Sequence, residues 1–318
     1  MAAIPQNKEL TMEYSNKNNI NISKMTLGTV QLGMNYGVNN NSGMPTEQQS
    51  YDILTAAYNG GVTVLDTSDD YGKSEQIIGQ FIKNNPDKQF QICTKFNVAK
   101  DEKDVYGALE AFAEKSLKKL SIDCIPIFMS HTEKNFFDHG SKLSEALVKL
   151  KDRGFIKNTG ISLSTKDCAN DIIDCGAFDA VQLPMNILDN KLILDGTIEK
   201  MHKSGISVFV RSVYLQGLFF KNKADLKDTK LNAAIPYLEK IEEIANDENM
   251  TVGELALAFI RDSVGVDSLV IGSESVKQVE DNLKLFSTHK LTDTTMNKIF
   301  ENFSNVDPFV VSPWLWNK

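Results

Sequence analysis

The sequence predicts a (β/α)8 TIM barrel, and three observations support this fold. Eight short apolar runs rich in β-branched residues recur along the chain. Segments with apolar residues at helical spacing follow them in alternation. The length of 318 residues suits one such barrel. Since apolar strands alternating with helices are typical of parallel sheets covered on the outside, a closed parallel barrel is the expected arrangement.

The chain order of the elements is predicted as follows. Residues 13–15 and 20–22 form an N-terminal hairpin around the Asn-rich turn at 16–19. The eight barrel strands are expected at 25–30, 62–65, 90–94, 124–129, 155–161, 180–183, 207–210 and 268–271. Before the last strand we expect a loop insertion near 220–230 and two helices. Residues 1–11 are expected to be a loose extension and 12–318 one domain, with the C-terminal tail near the barrel mouth.

A doubly wound open sheet is the alternative fold. It requires a G-x-G-x-x-G fingerprint between the first strand and a helix. Gly28 and Gly33 stand at the right place in the chain but at the wrong spacing for this motif. The barrel is therefore favoured.

Composition excludes several kinds of partner. A net charge of −8 without a basic cluster argues against nucleic acid and anionic membranes. No apolar run approaches the roughly 20 residues that span a bilayer, and the N-terminus lacks a secretion signal, so a cytoplasmic protein is expected. Four cysteines without a CxxC pair indicate reduced core thiols, and four histidines without ligand spacing predict no metal site.

Chemistry in such barrels comes from the carboxyl ends of the strands. The second, third and fourth predicted strands end near Asp66 with Tyr71, Lys95 and His131. Paired carboxylates for a glycosidase and a His/carboxylate cluster for a metal hydrolase are not found at these ends. The neighbours of Tyr71, Asp69 and Asp70, are expected to be solvated turn residues.

The remaining groups fit one kind of reaction. A phenol has a pKa near 10, and an ammonium beside it lowers that pKa. A carboxylate can hold the ammonium, and a neutral imidazole can orient a carbonyl oxygen. Such a set protonates a developing alkoxide, and the hydride must come from a nicotinamide.

Several motifs, in their joint order and spacing, resemble those of the aldo-keto reductase family over nearly the whole chain. Residues 66–75 resemble its Asp-Thr-x-x-x-Tyr-Gly-x-Ser-Glu motif, and 154–162 resemble its Gly-Lys-Ile-Arg-x-x-Gly-Val-Ser run. The resemblance implies that Tyr71 is the general acid or base, that Lys95 lowers its pKa and that Asp66 anchors Lys95. His131 would orient the carbonyl.

The resemblance also implies a cofactor site that holds NADPH by family habit. Residues 272–282, after the last strand, are similar to the family's adenosine-binding segment. Glu274 in this segment leaves NADH possible, since its carboxylate would repel the 2′-phosphate that distinguishes NADPH from NADH. Leu163, Met185 and Arg211 depart from the residues common in relatives at their positions. The implied cofactor contacts are Gly28, Thr29, Asp66, Ser162, Gln182, Arg211, Ser212, Tyr214, Gln216, Gly217, Gly272, Gln278, Asp281 and Asn282.

The expected substrate is a small carbonyl compound or a sugar. Residues 27–37 resemble bacterial members associated with sugar or surface-polysaccharide metabolism, and Phe136, Trp314 and Trp316 are candidates to line the pocket mouth. The alternative function is a nicotinamide-binding sensor or partner-binding module with little turnover, as in potassium-channel β-subunits of this fold. Oligomeric state and direction of reaction stay open.

Overall fold

Residues 12–36, 43–165 and 167–316 are described by the structure, a computed structural model. The expected extension, residues 1–11, and Gly37, the last residue of the segment 27–37 discussed above, lie outside these ranges. Within these ranges eight parallel strands close a barrel in the order β10-β3-β4-β5-β6-β7-β8-β9, beside an antiparallel β1-β2 hairpin. The strands are β1 (Tyr14–Lys17), β2 (Ile20–Ser23), β3 (Met25–Gly28), β4 (Val64–Asp66), β5 (Gln91–Phe96), β6 (Ile125–Ser130), β7 (Ile156–Ser162), β8 (Ala180–Pro184), β9 (Ser207–Arg211) and β10 (Ser268–Gly272).

Helices cover the barrel between the strands. They are α1 (Val30–Gly33), α2 (Glu47–Asn59), α3 (Ser74–Asn84), α4 (Val105–Leu120), α5 (Lys134–His139), α6 (Ser141–Asp152), α7 (Ala169–Cys175), α8 (Lys191–Leu194), α9 (Thr197–Lys203), α10 (Lys223–Leu226), α11 (Ile235–Asp247), α12 (Val252–Asp262), α13 (Val276–Phe286) and α14 (Asp293–Phe303). Short 3-10 segments are Leu215–Phe220, Lys230–Ala234 and Pro313–Leu315. No helix in the described ranges is long and apolar enough to cross a membrane.

The predicted barrel is confirmed, and each predicted strand overlaps an observed one. Differences are confined to strand ends, where β4 begins at Val64 rather than at Val62 and reaches Asp66. The insertion predicted as a loop near 220–230 contains α10, where the Asn222 side chain accepts a hydrogen bond from the Ala224 N–H group. Such a short helix has no apolar periodicity to reveal it in the sequence.

The hairpin closes the amino-terminal end of the barrel. Asn18 and Asn19 turn the chain with φ of 53° and 57°, a conformation that Asn tolerates better than most residues. Ile20 and Ile22 on β2 are then buried inside the barrel, against side chains that include Phe209. Polar residues of the connecting loops line the opposite end of the barrel, where the strands have their carboxyl ends.

Candidate active site

Asp66, Lys95 and Gln182 form a buried polar cluster at the carboxyl end of the barrel. Lys95 Nζ lies 2.5 Å from Asp66 Oδ1 and donates to the Thr67 carbonyl at 3.0 Å. The Gln182 amide donates to the same Asp66 oxygen at 2.7 Å. Burial lowers the pKa of Lys95, but the Asp66 carboxylate outweighs it and the net pKa is raised, so the ammonium stays charged.

Tyr71 lies between Lys95 and His131. The Lys95 ammonium is 5.2 Å from the centre of the phenol ring. The rings of Tyr71 and His131 meet edge to face, with centres 5.8 Å apart. Burial raises the pKa of Tyr71 above its ordinary value, and Lys95 acts in the lowering direction expected of it without reversing that rise. The phenol is therefore protonated at neutral pH, as a proton donor must be.

A close contact between two loops places the turn that carries Tyr71. A Cβ atom on Gly33 would lie 1.8 Å from the Tyr71 carbonyl oxygen, so only glycine permits this approach. Ser74 fixes the same turn from the other side: its hydroxyl lies 2.9 Å from the Thr29 hydroxyl and accepts a hydrogen bond from Thr67 at 3.0 Å. The small and hydroxyl residues of the motif thus hold the backbone around the phenol.

Asp69 is not the solvated turn residue that the sequence suggested. Its carboxylate pairs with Lys115 at 2.7 Å and with Lys119, both on α4. Lys119 also lies 3.3 Å from the buried Glu75. Both lysines stand on a helix that follows in the chain, and no local pattern predicts the pairing. These ion pairs tie the turn to the helix layer.

Asp70 contacts His131 and is also not merely a solvated residue. Its Oδ2 atom is 3.1 Å from His131 Nδ1 and accepts a hydrogen bond from the Asn97 amide at 2.7 Å. Burial, followed by the Lys95 charge, lowers the pKa of His131, and Asp70 opposes that shift. Asp70 and Asn97 were missed in the sequence, although Asp70 stands directly before Tyr71.

A cavity of about 860 Å³ lies beside this cluster, at the ends of β7 to β9. Arg211, Ser212 and Gln216 line it from the loop after β9, and Trp314 lines it from the C-terminal tail. The Arg211 guanidinium donates to the Leu163 carbonyl at 3.0 Å. Tyr71 and His131 are not among the residues lining this cavity, so it adjoins the cluster rather than containing it.

The loop after β9 has the features of a ligand-binding segment. Ser212, Leu215 and Gln216 adopt positive φ angles of 63°, 45° and 53°, followed by Gly217 at 83°. Such conformations are unfavourable for residues other than glycine and concentrate at functional sites. Within the described residues the buried Tyr214 hydroxyl has no hydrogen-bond partner. The donors of this loop and the cavity beside them fit the phosphates of a dinucleotide.

The segment after β10 places the predicted adenosine contacts at the start of α13. The Gln278 side chain accepts from the Glu274 backbone N–H at 2.6 Å, and Asn282 donates to Ser273 at 3.2 Å. Asp281 forms an ion pair with Lys277 at 2.7 Å. These side chains are engaged with one another around the turn.

The strand ends bring the other predicted cofactor residues to the same rim. Gly28 pairs with Asp66 on one side and Gly272 on the other, and Ser162 pairs with Gln182. The Thr29 hydroxyl donates to the Asp66 carbonyl at 2.8 Å. Gln182 uses one amide N–H for Asp66, so its second N–H and its carbonyl oxygen are left for other partners.

The three predicted pocket-mouth aromatics lie in different surroundings. Trp314 is 58% exposed and lines the cavity. Phe136 packs against the core, with its ring 5.8 Å from that of Phe178. Trp316 donates its indole N–H to the Phe309 carbonyl at 3.0 Å and so folds the tail on itself. Trp314 is the one of the three that the structure places at the cavity.

Comparison with known proteins agrees with this geometry. A profile of the Aldo/keto reductase family matches residues 24–302. An NADH-specific methylglyoxal reductase of Escherichia coli is 27% identical over 296 residues, covering 83% of this chain and 90% of that protein.

Solved structures show the same fold. A holo-form aldo-keto reductase, AKR11C1, from Bacillus halodurans superposes with a TM-score of 0.77 at 19% identity, covering 95% of this chain and all of the other. An aldo/keto reductase of Klebsiella pneumoniae in complex with NADP and acetate gives 0.69 at 18% identity, covering 92% and 96%. With the family match spanning most of its length, the chain belongs to the aldo/keto reductase family and is an NAD(P)-dependent oxidoreductase.

Proposed function

We propose that this protein reduces the carbonyl group of a small aldehyde, ketone or sugar, with Tyr71 as the proton donor. The observation that carries the proposal is the position of Tyr71, half-buried between the Lys95 ammonium and the His131 ring. The chain would hold the cofactor through the loop after β9, the segment after β10 and the rim residues Ser162 and Gln182. When bound, the nicotinamide supplies the hydride.

Tyr71, Lys95 and Asp66 each have a distinct part in the proposed proton transfer. Tyr71 gives its proton to the oxygen atom that gains negative charge as the carbonyl is reduced. The Lys95 ammonium then faces a phenolate and stabilises it, because opposite charges attract strongly in a buried site. Asp66 holds Lys95 in place through the 2.5 Å contact. In the reverse direction the phenolate accepts the proton of an alcohol.

Replacing Tyr71 with phenylalanine tests the proposal. The variant keeps the ring and its contacts but has no proton to give, so we expect turnover to fall by at least about 100-fold. Absorbance of the reduced cofactor would be followed with a panel of aldehydes, ketones and sugars. Cofactor affinity, measured by fluorescence titration, should stay within about twofold because the hydroxyl is the one group removed.

Two outcomes would contradict the proposed reaction. Equal activity in Tyr71→Phe and the parent protein would rule out Tyr71 as proton donor. Tight cofactor binding by the parent protein without turnover of any carbonyl would favour the sensor function instead. Tyr58→Phe is a matched control because it removes a hydroxyl from α2, where that group donates to the Asp87 carbonyl at 3.1 Å.

For the cofactor, we propose that NADH is accepted at least as well as NADPH, although family habit favours NADPH. Lys277 is the basic residue nearest to Glu274 in the sequence, and it is already paired with Asp281. A 2′-phosphate in this segment would meet the Glu274 carboxylate, whereas a 2′-hydroxyl can donate to it. The relatives support both choices, since one is named NADH-specific and another is in complex with NADP.

Dissociation constants for NADH and NADPH decide between the two cofactors. We expect NADH to bind no more weakly than NADPH in the parent protein. Glu274→Ala should tighten NADPH binding about threefold to tenfold, because it removes a repulsion in a partly exposed position. Glu280→Ala, which removes a carboxylate from α13 directly after the turn of Glu274, is the matched control. A parent protein that binds NADPH ten times more tightly would overturn the choice.

A further inference from the structure

His131 is held by a side-chain pair that stands outside the four catalytic groups. Asn97, directly after β5, donates to Asp70 Oδ2 at 2.7 Å. The same oxygen atom lies 3.1 Å from His131 Nδ1. Asn97 Nδ2 and Ser68 Oγ are farther from Nδ1, at 3.4 Å each. The shorter distances assign the Asn97 amide to Asp70 and leave Asp70 as the acceptor for an Nδ1–H group.

This hydrogen bond determines which ring nitrogen carries the proton. A neutral imidazole has one N–H group and one bare nitrogen. When Nδ1–H is bound to Asp70, the bare nitrogen is Nε2, for which no hydrogen bond is found in the part of the chain that the structure describes. Asp70 is 55% exposed in its side chain, so the contact is weak as an ion pair. This hydrogen bond still decides which neutral tautomer of His131 is populated, because the two tautomers differ little in free energy.

We propose that Asp70 and Asn97 are positioning residues that keep the single proton of neutral His131 on Nδ1. Nε2 then donates a hydrogen bond to a substrate oxygen only when the ring has taken up a second proton and is an imidazolium. The proposal rests on the proposed function, in which His131 orients the carbonyl. A carbonyl oxygen accepts hydrogen bonds and cannot donate them. Carbonyl reduction should therefore be favoured on the acid side of the His131 titration.

Other groups around His131 do not replace Asp70 in this role. Asp66 ends β4, Tyr71 follows Asp70 in the turn and Lys95 lies on β5, whereas the contacts of His131 Nδ1 are with Asp70, Asn97 and Ser68. Glu133, two residues further along the chain, accepts instead from the Ser164 backbone N–H at 2.9 Å. Among these charged groups, Asp70 is the one that reaches the ring nitrogen.

Nitrogen NMR of protein labelled at histidine tests the assignment without measuring activity. The chemical shifts of the two ring nitrogens report which one is protonated, and His131→Gln identifies the His131 signals among those of four histidines. Above the pKa of the ring we expect Nδ1–H in the parent protein and Nε2–H in Asp70→Ala. Asn97→Ala should shift the population in the same direction by loosening Asp70. Asp52→Asn, a carboxylate removed from α2, should leave the Nδ1–H form unchanged.

The pH dependence of reduction gives a second readout. In the parent protein kcat/KM for reduction should fall about tenfold for each pH unit above the pKa of His131. In Asp70→Ala it should change by less than about twofold over the same range, since the neutral Nε2–H form can donate. The same tautomer in both proteins, or Nε2–H in the parent, would overturn the inference. Loss of the proposed function would appear separately, as activity that survives Tyr71→Phe.

Discussion

Asp66 is the residue on which the buried polar cluster depends. One of its oxygen atoms receives both the Lys95 ammonium and the Gln182 amide. Lys95 is 1% exposed and Asp66 is 4% exposed, so each charge has lost most of its hydration and needs the other. The pair that is expected to tune Tyr71 is therefore also a structural element of the barrel interior.

Replacing Lys95 with methionine should cost both stability and activity. The substitution keeps the aliphatic bulk but leaves the Asp66 charge buried with one amide donor. Removing one partner of a buried pair costs about 3–5 kcal/mol, which urea unfolding followed by circular dichroism would measure. The double variant Lys95→Met with Asp66→Leu should regain most of this loss while staying inactive. A Lys95→Met variant as stable as the parent protein would show that the buried Asp66 carboxylate does not need the Lys95 charge.

The four predicted catalytic residues could be found in the sequence because each follows an apolar run that reads as a strand. The pair of Asp66 and Lys95 was also expected from the family resemblance, but the other partners of these residues could not be found. Asp70 meets His131, and Gln182 meets Asp66, across different strand ends. Such contacts depend on side-chain directions set by the closed barrel, and neither periodicity nor motif spacing contains that information.

At the scale of elements, the site depends on how closely two loops approach. The end of α1 packs against the turn between β4 and α3, where the Lys73 backbone N–H donates to the Gly33 carbonyl at 3.2 Å. Gly72 lies in the same contact with a φ of 53°, and a Cβ there would be 2.3 Å from the Gly33 carbonyl oxygen. The backbone of Tyr71 is thus positioned by a contact between main chains.

Gly33→Ala should displace this turn. Its Cβ would lie 1.8 Å from the Tyr71 carbonyl oxygen and 2.5 Å from the Ser74 nitrogen, which are backbone atoms that cannot rotate away. We expect a loss of about 3 kcal/mol in the free energy of unfolding and a fall in kcat of at least about 100-fold.

The matched substitution is Gly253→Ala on α12. There a Cβ would lie 3.4 Å from the Phe220 ring, an ordinary contact. Alanine also favours a helix over glycine, so stability should rise by up to about 1 kcal/mol and turnover should be unchanged. Equal effects of the two substitutions would show that the loop contact has no special role.

At the scale of the whole molecule, the two ends of the barrel have different tasks. The amino-terminal end is closed by the β1-β2 hairpin, whose Ile22 is fully buried in the interior cluster. Lys17 on the hairpin pairs with Asp267 before β10 at 2.8 Å and so ties the hairpin to the barrel. The carboxyl end carries the polar cluster, the cavity and the tail with Trp314. The hairpin therefore contributes apolar packing and an ion pair at the closed end, and the cavity opens at the other end.

Paired substitutions at the two ends should separate stability from specificity. Ile22→Ala leaves a cavity among packed side chains and should cost about 2–5 kcal/mol in unfolding free energy, while kcat/KM per folded molecule stays within about twofold.

Trp314→Ala removes a side chain that is 58% exposed and should cost less than about 0.5 kcal/mol. It should instead raise KM for bulky carbonyl substrates about tenfold, with little change for the smallest aldehydes, because a large ligand reaches the cavity rim that Trp314 lines. Thermal unfolding and steady-state kinetics on the same two preparations distinguish these effects. A loss of specificity in Ile22→Ala, or of stability in Trp314→Ala, would show that the two ends are coupled through the barrel.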